Sequence, residues 1–134
     1  MELKEQGKDW CLTARDATVN LIQIDFRLSL FLADPQNEAT MVIETPCRLR
    51  TRDTSVVLRP AETSTLAPIL PFFNARVTGV AIRSTGALKL HFRGGPTLEV
   101  DADPNYEAWQ LASSAMGLLF VCSPGGAVSL FKDR

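Results

Sequence analysis

The chain has 134 residues and a mass of 14.7 kDa, room for one hydrophobic core and too little for two ordinary domains, so a single domain over 1–134 is expected. Hydrophobic residues at 46% and charged residues at 22% exclude a disordered, collagenous or low-complexity chain. Fourteen Lys and Arg against fifteen Asp and Glu give a formal net charge of −1, and division after Ala67 leaves 8 basic against 10 acidic, then 6 against 5, so neither half is a basic arm for nucleic acid.

Met1 to Asp9 is charged at almost every other position, and no apolar stretch approaches the roughly 20 residues of a membrane span. No signal peptide, anchor or membrane partner is expected. Cys11, Cys47 and Cys122 are an odd number at wide spacing, which suits reduced, buried thiols in a cytoplasmic protein. From Ile22 to Leu32 every second residue is apolar, with Gln23, Asp25, Arg27 and Ser29 between, the mark of a strand with one wet face. So long a strand is expected to bend near Asp25-Phe26-Arg27. Asp34 to Glu38 supplies turn residues and Ala39 to Glu44 returns, completing a hairpin. Pro46 to Leu58 alternates weakly around Arg48, Arg50 and Arg52 and reads as an extended segment or edge strand.

At Pro60 the spacing changes to three and four, predicting one short helix near 64–73 within a helical connection spanning 60–74, with Pro68 in its first turn and Pro71 at its kink or end. Val77 to Ile82 is then a strand, Ser84-Thr85-Gly86 a turn, and Leu88 to Phe92 a strand that Gly94-Gly95-Pro96 joins to Leu98-Glu99-Val100. Val19 to Leu32 can be laid on Val77 to Phe92, which suggests a duplicated unit. Asp103 can cap a turn through Tyr106-Glu107. Trp109 opens a strand, and Ser123-Pro124-Gly125-Gly126 joins two more. The expected fold is α+β but mostly β: an antiparallel sheet or partly open barrel from two similar β-meander halves, approximately 10–58 and 76–131, with the helix between them.

The order Ile24 to Leu30, Ile43-Glu44-Thr45-Pro46, Leu66 to Leu70, Tyr106-Glu107-Ala108-Trp109 and Cys122 to Gly126 resembles a family of small bacterial domains of unknown function. The most specific piece is Tyr-Glu-Ala-Trp followed by Pro-Gly-Gly. The resemblance implies the fold and a bacterial cytoplasm, and no catalytic residues.

Few residues offer chemistry. His91 is the only imidazole and sits between Lys89 and Arg93 on a polar strand phase, where a solvated side chain outweighs a catalytic one. No P-loop, Rossmann fingerprint, nucleophile elbow, Cys-x-x-Cys pair or EF-hand loop occurs. No cofactor or metal is therefore expected. Glu99, Asp101 and Asp103 recur at period two, and a straight strand would diverge them rather than converge them on a cation. Arg48, Arg50 and Arg52 form a cationic stripe, read either as a solubilising or edge-protecting face or as a site for an acidic partner. Tyr106 and Trp109, three apart, are read as core anchors ahead of a ligand-facing pair. Cys122 is expected in the core. The functional expectation is a non-enzymatic accessory domain, immunity-type included, that binds another protein through a polar sheet face or exposed edge; a homodimer is compatible with it. The alternative is a small-ligand binder or enzyme with a pocket between helix and sheet.

Overall fold

The computed structural model describes residues 1–133. Twelve strands make one antiparallel sheet: β1 (Glu2–Gln6), β2 (Asp9–Ile24), β3 (Leu28–Ala33), β4 (Glu38–Ile43), β5 (Cys47–Arg50), β6 (Ser55–Leu58), β7 (Arg76–Ile82), β8 (Leu88–Phe92), β9 (Thr97–Val100), β10 (Trp109–Ser113), β11 (Leu118–Cys122) and β12 (Val128–Lys132). The order across the sheet is β12-β11-β10-β4-β3-β2-β7-β8-β9-β5-β6, with β1 on β2. The mostly β, antiparallel expectation holds. The sheet is open, with β6 and β12 at its ends.

Alternation places Leu28, Leu30 and Leu32 of β3, Met41 and Ile43 of β4, and Leu88, Leu90 and Phe92 of β8 in one buried cluster. A single sheet can enclose a core only by coiling over itself, and two contacts between distant strands record this. Trp10 of β2 meets Phe120 of β11 edge to face, centroids 5.4 Å apart, and the indole Nε1 of Trp109 on β10 donates to the Gly86 carbonyl of the β7–β8 turn at 2.8 Å. That turn is pressed against the β11–β12 turn. A Cβ on Gly126, at φ 103, would meet the Thr85 carbonyl oxygen at 2.5 Å, so glycine is required there by both space and dihedral.

Several expectations are corrected. The long apolar alternation is not one bent strand: the chain reverses at Asp25–Arg27, so β2 and β3 pair Ile24 with Leu28. Ser29, expected on the wet face, lies on the outward phase but is covered by its neighbours and only 4% exposed. The charged start is itself a strand, β1, held by the register Glu2 to Thr13. Pro46 to Leu58 is a hairpin, of which β6 is an edge while β5 lies between β6 and β9. The predicted helix is replaced by two 3₁₀ turns, Thr63–Thr65 and Ala67–Phe72. Pro68 and Pro71 have no N–H for α-helical bonds, and the bonds formed are the tighter kind, Ile69 N to Leu66 O and Phe73 N to Leu70 O.

Strand order also departs from two separate meanders. After β4 the chain crosses to the far side and hairpin β5–β6 pairs with β9; after β9 it crosses back and β10 pairs with β4. The registers on the two sides run in parallel. Leu28, Ile43, Trp109 and Cys122 are successive partners on one side, and Leu88, Val100, Cys47 and Leu58 on the other. The β2–β3 ladder is interrupted between Val19 and Leu21 and the β7–β8 ladder between Val77 and Gly79.

Candidate functional site

The parallel registers allow the outward faces of the two sides to be compared position by position, since outward residues are those between the buried ones. On the β5–β9–β8–β7 side the outward rows are Arg48, Glu99, Lys89, Ala81 and Arg50, Thr97, His91, Gly79. Arg48 and Arg50 share this face, with Leu49 buried opposite, and Arg52 sits in the turn beyond. Arg50 Nε contacts Glu99 Oε2 at 2.8 Å with half of the arginine side chain exposed, so the middle of the arginine stripe is neutralised inside the fold. Burial and the adjacent Lys89 ammonium hold the His91 pKa below its ordinary value, against the opposing pull of Glu99, which favours neutral imidazole at neutral pH.

Asp101 and Asp103 do not extend the Glu99 row, because β9 ends at Val100. Asp103 Oδ1 instead accepts from the backbone N–H groups of Asn105 and Tyr106 at 2.8 and 3.0 Å. The turn this builds turns Tyr106 outward, 70% exposed, while Trp109 is fully buried. The two rings therefore do not act together. Trp109 is a core anchor whose one polar atom is satisfied at Gly86; Tyr106 is not an anchor.

Among the described residues no group of three or more His, Cys, Asp or Glu is placed to hold a metal ion. All three cysteines are free; Cys47 and Cys122 are buried and Cys11 is half-buried. Burial pushes the Cys47 thiol up to about 12 and raises that of Cys122, the behaviour of structural rather than nucleophilic sulfur. Among the described residues no helix is long and apolar enough to cross a membrane.

The other side of the sheet has the opposite character. Across β2, β3, β4, β10, β11 and β12 the outward rows are Leu21, Phe31, Thr40, Ala112, Leu119, Phe131 and, beside them, Gln23, Ser29, Val42, Gln110, Val121, Ser129. None carries a charge. Leu21 is 46% and Phe131 59% exposed. Where one side sets Arg48, Glu99, Lys89 and His91, the other sets Gln110, Val42, Ser29 and Phe31 at matching register positions. Charge collects at the rim: Glu38 accepts from Ser114 Oγ and the Ala115 N–H at 2.8 Å each, and Glu107 accepts from Gln110 Nε2.

At the tip of the β2–β3 hairpin on this side, Phe26 is 85% exposed and held at φ 65. An aromatic side chain in left-handed backbone and in water is doubly unfavourable, and such conformations persist where the surroundings impose them or function uses them. The Asp25–Arg27 ion pair at 2.9 Å spans the base of this tip. The arginine stripe was legible in the sequence; the neutral face was not, because its residues come from six strands whose order only the fold supplies.

A model of a protein family described as a family of unknown function, DUF6188, matches residues 10–132. No curated protein and no solved structure matches the chain. With the match running from the start of β2 to the end of β12, the chain belongs to the DUF6188 family, a family of unknown function.

Proposed function

We propose that the protein is a non-enzymatic, protein-binding accessory domain of the bacterial cytoplasm, immunity-type proteins being the nearest functional class, and that its contact surface is the uncharged outer face of β2, β3, β4, β10, β11 and β12. The observation that carries this is the contrast between the two sides of one sheet. We read the parallel registers as one unit used twice, so the charged side shows what this architecture needs for solubility alone. The two uncharged rows span about 24 Å across the strands and about 14 Å along them, a face on the order of 330 Å² from ordinary strand spacing and rise, comparable with the uncharged or apolar patches that are often functional on soluble proteins. Its uncharged rows, bounded by Leu21 and Phe131 at their ends, its charged rim and its exposed aromatic tip at Phe26 match the anatomy of protein contacts.

The arginine stripe fits the solubilising role better, since Arg50 is already paired with Glu99. The partner expected is a protein presenting an apolar surface, and a second copy of this chain meets the requirement, because a neutral face opposes itself without like-charge repulsion.

The test is affinity purification at native expression level with the mass of the eluted species measured. The wild type should elute as a defined complex, with itself or with one identified protein. Val42→Lys combined with Leu119→Lys should elute alone at 14.7 kDa with its melting temperature nearly unchanged, as both side chains are partly in water and surface changes stay within about 0.5 kcal/mol. A wild type that elutes alone, or a complex that survives both lysines, rejects the reading.

A further inference from the structure

The ladder between β2 and β7 breaks at one place. Thr13 pairs with Gly79 and Ala17 with Val77, so Ala14, Arg15 and Asp16 stand opposite the single residue Thr78. Asp16 absorbs the excess chain in left-handed backbone at φ 65. Ala14 stays buried while Arg15 and Asp16 arch outward. Thr78 is itself the extra residue where the β7–β8 ladder slips, and its hydroxyl donates to the His91 carbonyl at 3.3 Å. Two irregularities at the same level of adjacent ladders open a cleft of about 450 Å³, lined by Thr13, Arg15, Asp16, Arg76, Thr78 and Arg93 with Val77 at its floor. Bulges commonly re-aim side chains in this way beside binding sites.

The charge of the cleft is one-sided. Three guanidiniums arrive from three stretches of chain: Arg15 from the arch, Arg76 from the start of β7, and Arg93 just past β8, where its N–H donates to the Arg76 carbonyl at 2.9 Å. One carboxylate opposes them, and Asp16 Oδ1 holds Arg76 Nη1 at 3.3 Å. Among the described lining residues two arginine charges are left over, with two threonine hydroxyls beside them. Planar guanidiniums present forked donors that match tetrahedral and planar oxyanions. The volume lies in the range of small-molecule sites and leaves room for more than a bare anion. None of these residues belongs to the uncharged face proposed above.

We infer that the cleft between β2 and β7 is a binding site for a compact dianionic oxyanion of the phosphate class, gripped by Arg15 and Arg93 while Asp16 offsets the charge of Arg76.

Calorimetric titration with inorganic phosphate, ribose 5-phosphate and uncharged ribose tests this. Saturable binding of a phosphate probe, and none of ribose, is expected below about 10 mM, the weak end of specific affinity. Tighter binding of ribose 5-phosphate makes the ligand a phosphomonoester, whereas equal binding makes it the free anion. Arg15→Gln with Arg93→Gln should weaken binding by roughly tenfold or more, as expected for loss of charge-assisted forks. Arg48→Gln with Arg52→Gln, which removes the same charge elsewhere, should leave it unchanged. Asp16→Asn keeps a residue that tolerates left-handed backbone and removes the opposing carboxylate, so it should tighten binding, a gain that structural damage would not produce. Absence of saturation with either phosphate probe, equal weakening in the two arginine pairs, or weaker binding by Asp16→Asn overturns the inference.

Discussion

Trp109 and Tyr106 share one short stretch of sequence and have opposite fates. The indole is fully buried and gives its only polar atom to Gly86, so Trp109→Ala leaves a cavity and a carbonyl that keeps only the weak Cys122 thiol donor at 3.6 Å. A loss of about 3 to 5 kcal/mol is expected, the range for deleting a buried large aromatic. Tyr106→Ala should change stability by less than about 0.5 kcal/mol, because a ring 70% exposed has little to lose. Urea denaturation of the two variants beside the wild type checks both; similar losses would mean that the two rings share one site after all. Sequence spacing treated the pair alike because it assumed a helical turn, and Asp103 built a different one.

Turns and irregularities decide more at the level of elements than propensity does. The apolar spacing after Pro60 is helical in period, yet two prolines remove the amide donors that an α-helix needs, and the segment settles for 3₁₀ bonds. In the β11–β12 hairpin the Pro-Gly-Gly turn was legible for its dihedrals alone. The fold adds a second demand, since Gly126 packs on Thr85 of another turn. Gly126→Ala should therefore cost about 2 kcal/mol or more, from left-handed strain and a clash with backbone that cannot move aside. Gly125→Ala shares the positive dihedral, φ 88, but meets nothing within 4 Å, so it should cost less; thermal melts of the pair separate crowding from strain. The arch of β2 at Arg15-Asp16 had no signal in the sequence, because a bulge is defined by the partner strand and not by the strand that carries it.

For the whole molecule the consequence is cooperativity, because strands from early and late in the chain complete one sheet: β5 needs β9 and β10 needs β4. A fragment ending at Arg59 would expose the outer ladder edge of β4 and leave hairpin β5–β6 without β9. It should be unfolded by circular dichroism when expressed alone, and mixing it with the remainder should restore sheet signal; a fragment that folds by itself would show the crossing strands to be dispensable. By itself the sequence determined what is local. Alternation marked the strand character of 22–32 and of β8, and short apolar runs that of β4, β7, β9 and β11, because side-chain period follows from backbone geometry over a few residues. Turn chemistry placed the reversals at Asp34 to Glu38, Gly94 to Pro96 and Ser123 to Gly126. Strand order, the exchange of hairpins, the uncharged outer face and the gathering of Arg15, Arg76 and Arg93 were decided only by tertiary structure. Each depends on which strands become neighbours, and that choice rests on burying one shared core rather than on any short stretch of chain.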